Sequence, residues 1–181
     1  MINSGEKKIK HYYGWLKTRI STSFLVFGAL FSQFDSTQAT IKPDTTATAA
    51  AQGYVYAQYN LGIMYCLGKG VEQNYAEARK WYEKAAARGD VGAQYNLGVM
   101  YDKGKGVKQN YAEARRWYEK AAVQGHVYAQ YNLGVMYYFA KGVERNYAKA
   151  RKWYEKAAMQ GDADAQYNLN IMCDEGKGVE Q

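Results

Sequence analysis

Enzymatic chemistry needs nucleophiles, bases or metal ligands held at workable spacings, and few residues of this chain meet that demand. Ser4 and Lys7 form the S-x-x-K arrangement in which a lysine activates a serine, but they precede an apolar run and lack the companion motifs. The two histidines, His11 and His126, do not combine with Cys66 and Cys173 at zinc-ligand spacings. Gly68-Lys69-Gly70 and its copies resemble a fragment of a phosphate loop, yet no Ser or Thr follows the Gly-Lys pair and no strand precedes it. No paired carboxylates, nucleophile with base, or metal cluster is left, so the sequence reads as a non-enzyme without a cofactor. His126, standing in a loop where an earlier copy of the segment has Asp90, reads as a solvated turn residue.

Aromatic residues make binding the remaining chemistry. Nineteen Tyr and four Trp occur among 181 residues, and they recur at regular intervals. Placed on a helix at 100° per residue, Tyr59 and Ile63 point away from the apolar stripe that contains Leu61, with Tyr56 and Cys66 beside them. The corresponding downstream residues are Tyr95 and Val99, then Tyr128, Tyr131, Val135 and Tyr138, then Tyr167. Stacking would align these ten tyrosine and aliphatic positions (Cys66 aside) into a column. Tyr suits a binding surface because it joins large area and few rotors to a hydroxyl. The same positions also lie where neighbouring units would meet, so packing is the other role open to them.

What must position this column is a repeat. Ala57-Gln58-Tyr59-Asn60-Leu61-Gly62 returns at Ala93 and Ala129, and in part at Ala165, always 36 residues later. Residues 57–92 and 93–128 are identical at 27 of 36 positions, which marks a solenoid of stacked supersecondary units. Each unit reads as two helices. Ala57, Leu61 and Tyr65 share one stripe of a first helix that Gly68-Lys69-Gly70 stops. Asn74 with Glu77, and Asn110 with Glu113, open the second helix as capping boxes; Lys149 breaks the box of the third unit. Ala78, Trp81, Tyr82 and Ala85 form the inner stripe of that helix, and Arg79 and Glu83 pair on its outer side. Outer ladders of Lys80, Arg116 and Lys152, and of Lys84, Lys120 and Lys156, run beside Glu83, Glu119 and Glu155, as a charge-balanced solvated face would.

The pattern A-x-x-x-L-G-x-x-Y-x-x-G-x-G-V-x-x-N-Y-x-x-A-x-x-W-Y-x-x-A-A-x-x-G resembles the Sel-1-like repeat, a relative of the tetratricopeptide repeat, over Ala57 to Gln181. The resemblance implies an all-α fold, a right-handed α/α solenoid of about three and a half 36-residue helix-turn-helix repeats, and an adaptor role without catalytic residues. In tetratricopeptide relatives the first-helix positions named above line a concave groove. The repeats divide as 57–92, 93–128, 129–164 and a partial 165–181. Residues 40–56 form a linker that keeps the remnant of a preceding helix at 49–53. Ala140 replaces a loop glycine, and Asn170 and Cys173 replace Gly and Tyr in the last unit. Cys66 and Cys173, three units apart, would lie roughly 25–30 Å from each other if helix layers are about 8–10 Å thick, too far for a disulfide. Cys173 takes a packed tyrosine position, and Cys66 faces the other way and is the more accessible.

Residues 1–39 carry five basic side chains and then the apolar run Phe24 to Phe31, followed by Thr37-Gln38-Ala39. The run is too short to span a bilayer and suits a secretory signal cleaved after Ala39; an uncleaved basic tail is the other reading. Removing it lowers the net charge from +7 to +4, with 19 basic and 15 acidic residues, well below the footprint of a dedicated nucleic-acid binder. The sequence thus points to an exported, periplasmic or secreted adaptor that takes a peptide or helix of another protein in its aromatic groove, with no stable membrane insertion once the signal is removed. The alternative is recognition of an envelope polymer such as peptidoglycan, or of nucleic acid, by Tyr stacking with basic flanks. The Leu169 stripe of the partial repeat, lacking a second helix, points to a weak homodimer.

Overall fold

The computed structural model describes residues 43–178; the basic and apolar segment of residues 1–39 lies outside them. Eight helices occur among the described residues, in the order α1 (Pro43–Ala51), α2 (Val55–Leu67), α3 (Tyr75–Ala87), α4 (Val91–Lys103), α5 (Tyr111–Val123), α6 (Val127–Phe139), α7 (Tyr147–Met159) and α8 (Ala163–Asp174). Helices α2 and α3, α4 and α5, and α6 and α7 are the three complete repeats, and α8 is the first helix of a fourth. Each helix packs chiefly on the next, so the chain is an all-α solenoid.

The helix boundaries follow local chemistry. Asn74, Asn110 and Asn146 cap the second helices, their Oδ1 atoms accepting from the N–H groups of Glu77 (3.0 Å), Glu113 (3.1 Å) and Lys149 (2.8 Å). The return half of the expected capping box is absent, because the N–H of each Asn already donates to the carbonyl of Tyr65, Tyr101 or Tyr137 in the preceding helix. Lys149 therefore breaks no hydrogen bond. First helices begin two residues before the expected Ala57 and Ala93. Asp90 and Asp162 cap two of them through 2.7 Å bonds from the N–H groups of Ala93 and Ala165. The segment read as a linker is also more ordered than expected. Pro43 occupies the first position of α1, where its missing N–H is no loss, and Thr46 and Ala50 are buried.

The core lies at the joints between repeats. At the first joint Ala78, Tyr82, Ala85 and Ala86 of α3 meet Ala93, Leu97 and Met100 of α4; at the second, Ala114, Tyr118, Ala121 and Ala122 of α5 meet Ala129, Leu133 and Met136 of α6. Alanines let the helices approach closely, and one tyrosine ring per joint fills the space that remains.

Candidate functional site

The six-residue repeat motif now resolves into five tasks. Ala93 and Leu97 are wholly buried. Gln94 donates from Nε2 to the Ala86 carbonyl at 3.3 Å, satisfying the end of α3, and accepts at Oε1 from Gln124 at 2.8 Å. Tyr95 enters the joint that follows. Asn96 faces the phenols of Tyr59 and Tyr82 of the preceding repeat, where it offsets part of the rise that burial gives their pKa. Gly98 lies against Tyr118, where an added Cβ would come within 2.5 Å of the ring; Gly62 and Gly134 stand in the same relation to Tyr82 and Tyr154. Sequence reasoning saw the motif but not the duties of its Gln, Asn and Gly. Those contacts reach across a helix pair or a joint, beyond the range of helical periodicity.

Seven of the ten candidate groove residues pack against the joint cores. Tyr59 and Ile63 cover the first joint, Tyr95 and Val99 the second, and Tyr131, Val135 and Tyr138 the third. Tyr59, Tyr95 and Tyr131 lie 5.8 to 6.0 Å, centroid to centroid, from Tyr82, Tyr118 and Tyr154 of their own repeats. Burial pushes the Tyr95 phenol up to about 12, with the nearby Tyr128 adding to the rise. The other three residues are open to solvent: Tyr56 is 65% exposed, Tyr128 49% and Tyr167 50%.

The second joint brings the buried and exposed tyrosines together. The His126 ring stacks on Tyr95 with centroids 4.4 Å apart, and Tyr128 lies 6.2 Å from Tyr95 and 6.0 Å from His126. His126 is not the solvated turn residue its sequence position suggested. It caps α6, its Nδ1 accepting from Ala129 N–H at 3.3 Å, and burial pulls its pKa below 6.5. The 36-residue alignment with Asp90 and Asp162 carried this signal, since all three fill one capping position.

Accessibility of the cysteines is the reverse of expectation. Both thiols are free, but Cys66 is half-buried at the first joint, with its pKa raised by burial, whereas Cys173 is exposed. Tyr65 and Tyr101 pack, half-buried, against clusters that include residues of their repeats' second helices, and Tyr137 is buried in the third cluster; no second helix follows α8 among the described residues. Asn170 stands where Gly98 accommodates a ring, and it too is exposed. Met172 is buried and Leu169 half-buried, so the apolar stripe of α8 is largely covered. Among the described residues no group of three or more His, Cys, Asp or Glu could hold a metal ion, and no helix is long and apolar enough to cross a membrane.

Stacked helix pairs of this kind define a helical-repeat solenoid. The Sel1 repeat matches residues 55–90, 91–126, 127–162 and 163–181, and the chain belongs to the Sel1 repeat family. Proteins of this family are non-enzymatic protein–protein interaction scaffolds. Among solved structures, a protective antigen present in uropathogenic Escherichia coli strains, displaying an SLR fold, is 47% identical with a TM-score of 0.74, over 76% of this chain and 29% of that one. A Sel1 repeat protein from Oxalobacter formigenes is 42% identical with a TM-score of 0.69, over 72% and 54%. Helicobacter pylori cysteine rich protein B is 32% identical with a TM-score of 0.54, over 67% and 93%. The chain thus spans less than two thirds of the length of the first two. No curated protein is similar enough to match it.

Proposed function

We propose that this protein is an exported adaptor that takes an extended peptide or a helix of another protein on the first-helix aromatic rim centred on Tyr128. The observation that carries this reading is the Tyr95, His126 and Tyr128 cluster. An exposed ring braced by two packed rings loses little freedom when a partner covers it, which is the economy of an aromatic hot spot. Export rests on the signal-like segment of residues 1–39, and intact-mass measurement of the protein from an envelope fraction tests it. A mature chain beginning near Thr40 is the expected result, and a full-length cytosolic chain would overturn it.

For the rim, Tyr56→Ala with Tyr128→Ala is the informative variant, since Tyr95 and Tyr131 also hold the joints together. Partner capture from envelope extract should weaken while circular dichroism stays near wild type. Undiminished capture would remove the rim from the reading. Capture that vanishes between low and moderate salt, with Tyr128 dispensable, would favour a polyanionic polymer instead.

A further inference from the structure

The outer stripe of the second helices is written three times, and the third version differs in charge. In α3 it is Glu77, Lys80 and Lys84; in α5, Glu113, Arg116 and Lys120; in α7, Lys149, Lys152 and Lys156. The first two stripes are internally paired, Lys80 to Glu77 at 2.6 Å and Arg116 to Glu113 at 3.1 Å. The carboxylates that run beside the ladders do not compensate, because Glu83, Glu119 and Glu155 are engaged by Arg79, Arg115 and Arg151 at 2.6 to 2.8 Å. No ion pair to Lys149 or Lys152 forms among the described residues. Arg145, just before the α7 cap, replaces Gln73 and Gln109 and extends the cationic run. It shares with Lys149 and Tyr137 a cleft of about 370 Å³ that has Glu144 as its one carboxylate.

This arrangement works against the helix. A cation in the first turn opposes the macrodipole, and like charges at i, i+3 repel, each by some tenths of a kcal/mol. The return inside the molecule is slight: Lys149 lies 5.4 Å from the Tyr137 ring and Lys156 4.5 Å from the Trp153 ring. In one repeat of three, then, a local rule is broken without structural gain inside the molecule.

We propose that the face of α7 formed by Arg145, Lys149, Lys152 and Lys156 docks an acidic helix of a partner protein, on a surface separate from the Tyr128 rim. The three lysines follow i, i+3, i+7 and span about 10 Å of helix, the spacing at which carboxylates on one face of a second helix would meet them. Glu144 and Glu155 flank the stripe and would repel a continuous polyanion, whereas discrete carboxylates can avoid them.

The test uses an alanine-based helical peptide carrying Glu at i, i+3 and i+7, labelled for fluorescence anisotropy, beside the same peptide with Lys. The acidic peptide should bind, the basic one should not, and binding should fall as salt rises. In Arg145→Gln/Lys149→Glu, which restores the residues that the first two repeats already fold with, affinity should drop roughly tenfold, as lost ion pairs and one repulsion imply. Lys152→Ala should lose less, and Tyr128→Ala should bind as wild type. Equal binding of the two peptides, an unaffected double variant, or dependence on Tyr128 would overturn the proposal. So would tighter binding of phosphatidylglycerol vesicles or an oligonucleotide through the same lysines.

Discussion

The first and second joints have the same floor and different rims. Both floors join four residues of a second helix to Ala, Leu and Met of the next first helix. At the first rim Tyr59 lies over Gly92, close enough that a Cβ there would sit 2.9 Å from its ring, and Asp90 supplies the cap. At the second rim the same three positions hold Tyr95, Tyr128 and His126, and the surface becomes aromatic. The molecule therefore carries its own control: what the joints share holds the fold, and what distinguishes them is the rim on which binding is proposed.

If the floors are equivalent, Leu97→Ala and Leu133→Ala should cost the same. Both side chains are fully buried, and truncation should remove about 2–5 kcal/mol in urea titration, against less than about 0.5 kcal/mol for the exposed Lys84→Ala. Losses that differ widely between the two leucines would break the comparison. Gly98→Ala comes next, at about 1–3 kcal/mol, because its Cβ forces the Tyr118 ring aside; pairing it with Tyr118→Leu should recover part of the loss.

Smaller effects sharpen the contrast. Ala140 ends α6 at φ 58°, where α2 and α4 end on Gly68 and Gly104. Relieving that left-handed alanine with Ala140→Gly should stabilise the protein by about 0.5–1 kcal/mol, read as a raised midpoint. The smallest effect is the pH response of the second rim. His126 has a pKa below 6.5 in the fold, so the unfolded chain takes up its proton first. Its contribution to stability is present above about pH 6.5 and is lost as pH falls through the depressed value. His126→Asp, which copies the first joint, should flatten that slope relative to wild type.

Much of this was legible in the sequence, for reasons that differ by level. The 36-residue period, the Asn caps and the Leu97 stripe depend on local spacing, and all survive in the fold. Which tyrosines are covered was not legible, because that depends on what the next repeat places beside them: glycine at 92, tyrosine at 128, aspartate at 164. The thiols were misplaced for two reasons: Cys66 is half-covered at the joint with the next repeat, and Cys173 has no second helix of its own unit over it among the described residues. Helix α1 was read only as a remnant at 49–53, because the threonines ahead of it argue against a helix although Pro43 at its start argues for one.

The reliance of each helix on the next also determines how the molecule answers force. Pulled from its ends, a globular domain gives way as one body, but a chain whose contacts reach only to adjoining layers can yield a unit at a time. Each 36-residue repeat released would add about 120–130 Å of contour. The solenoid can therefore lengthen under load in countable steps while the repeats still stacked keep their surfaces intact.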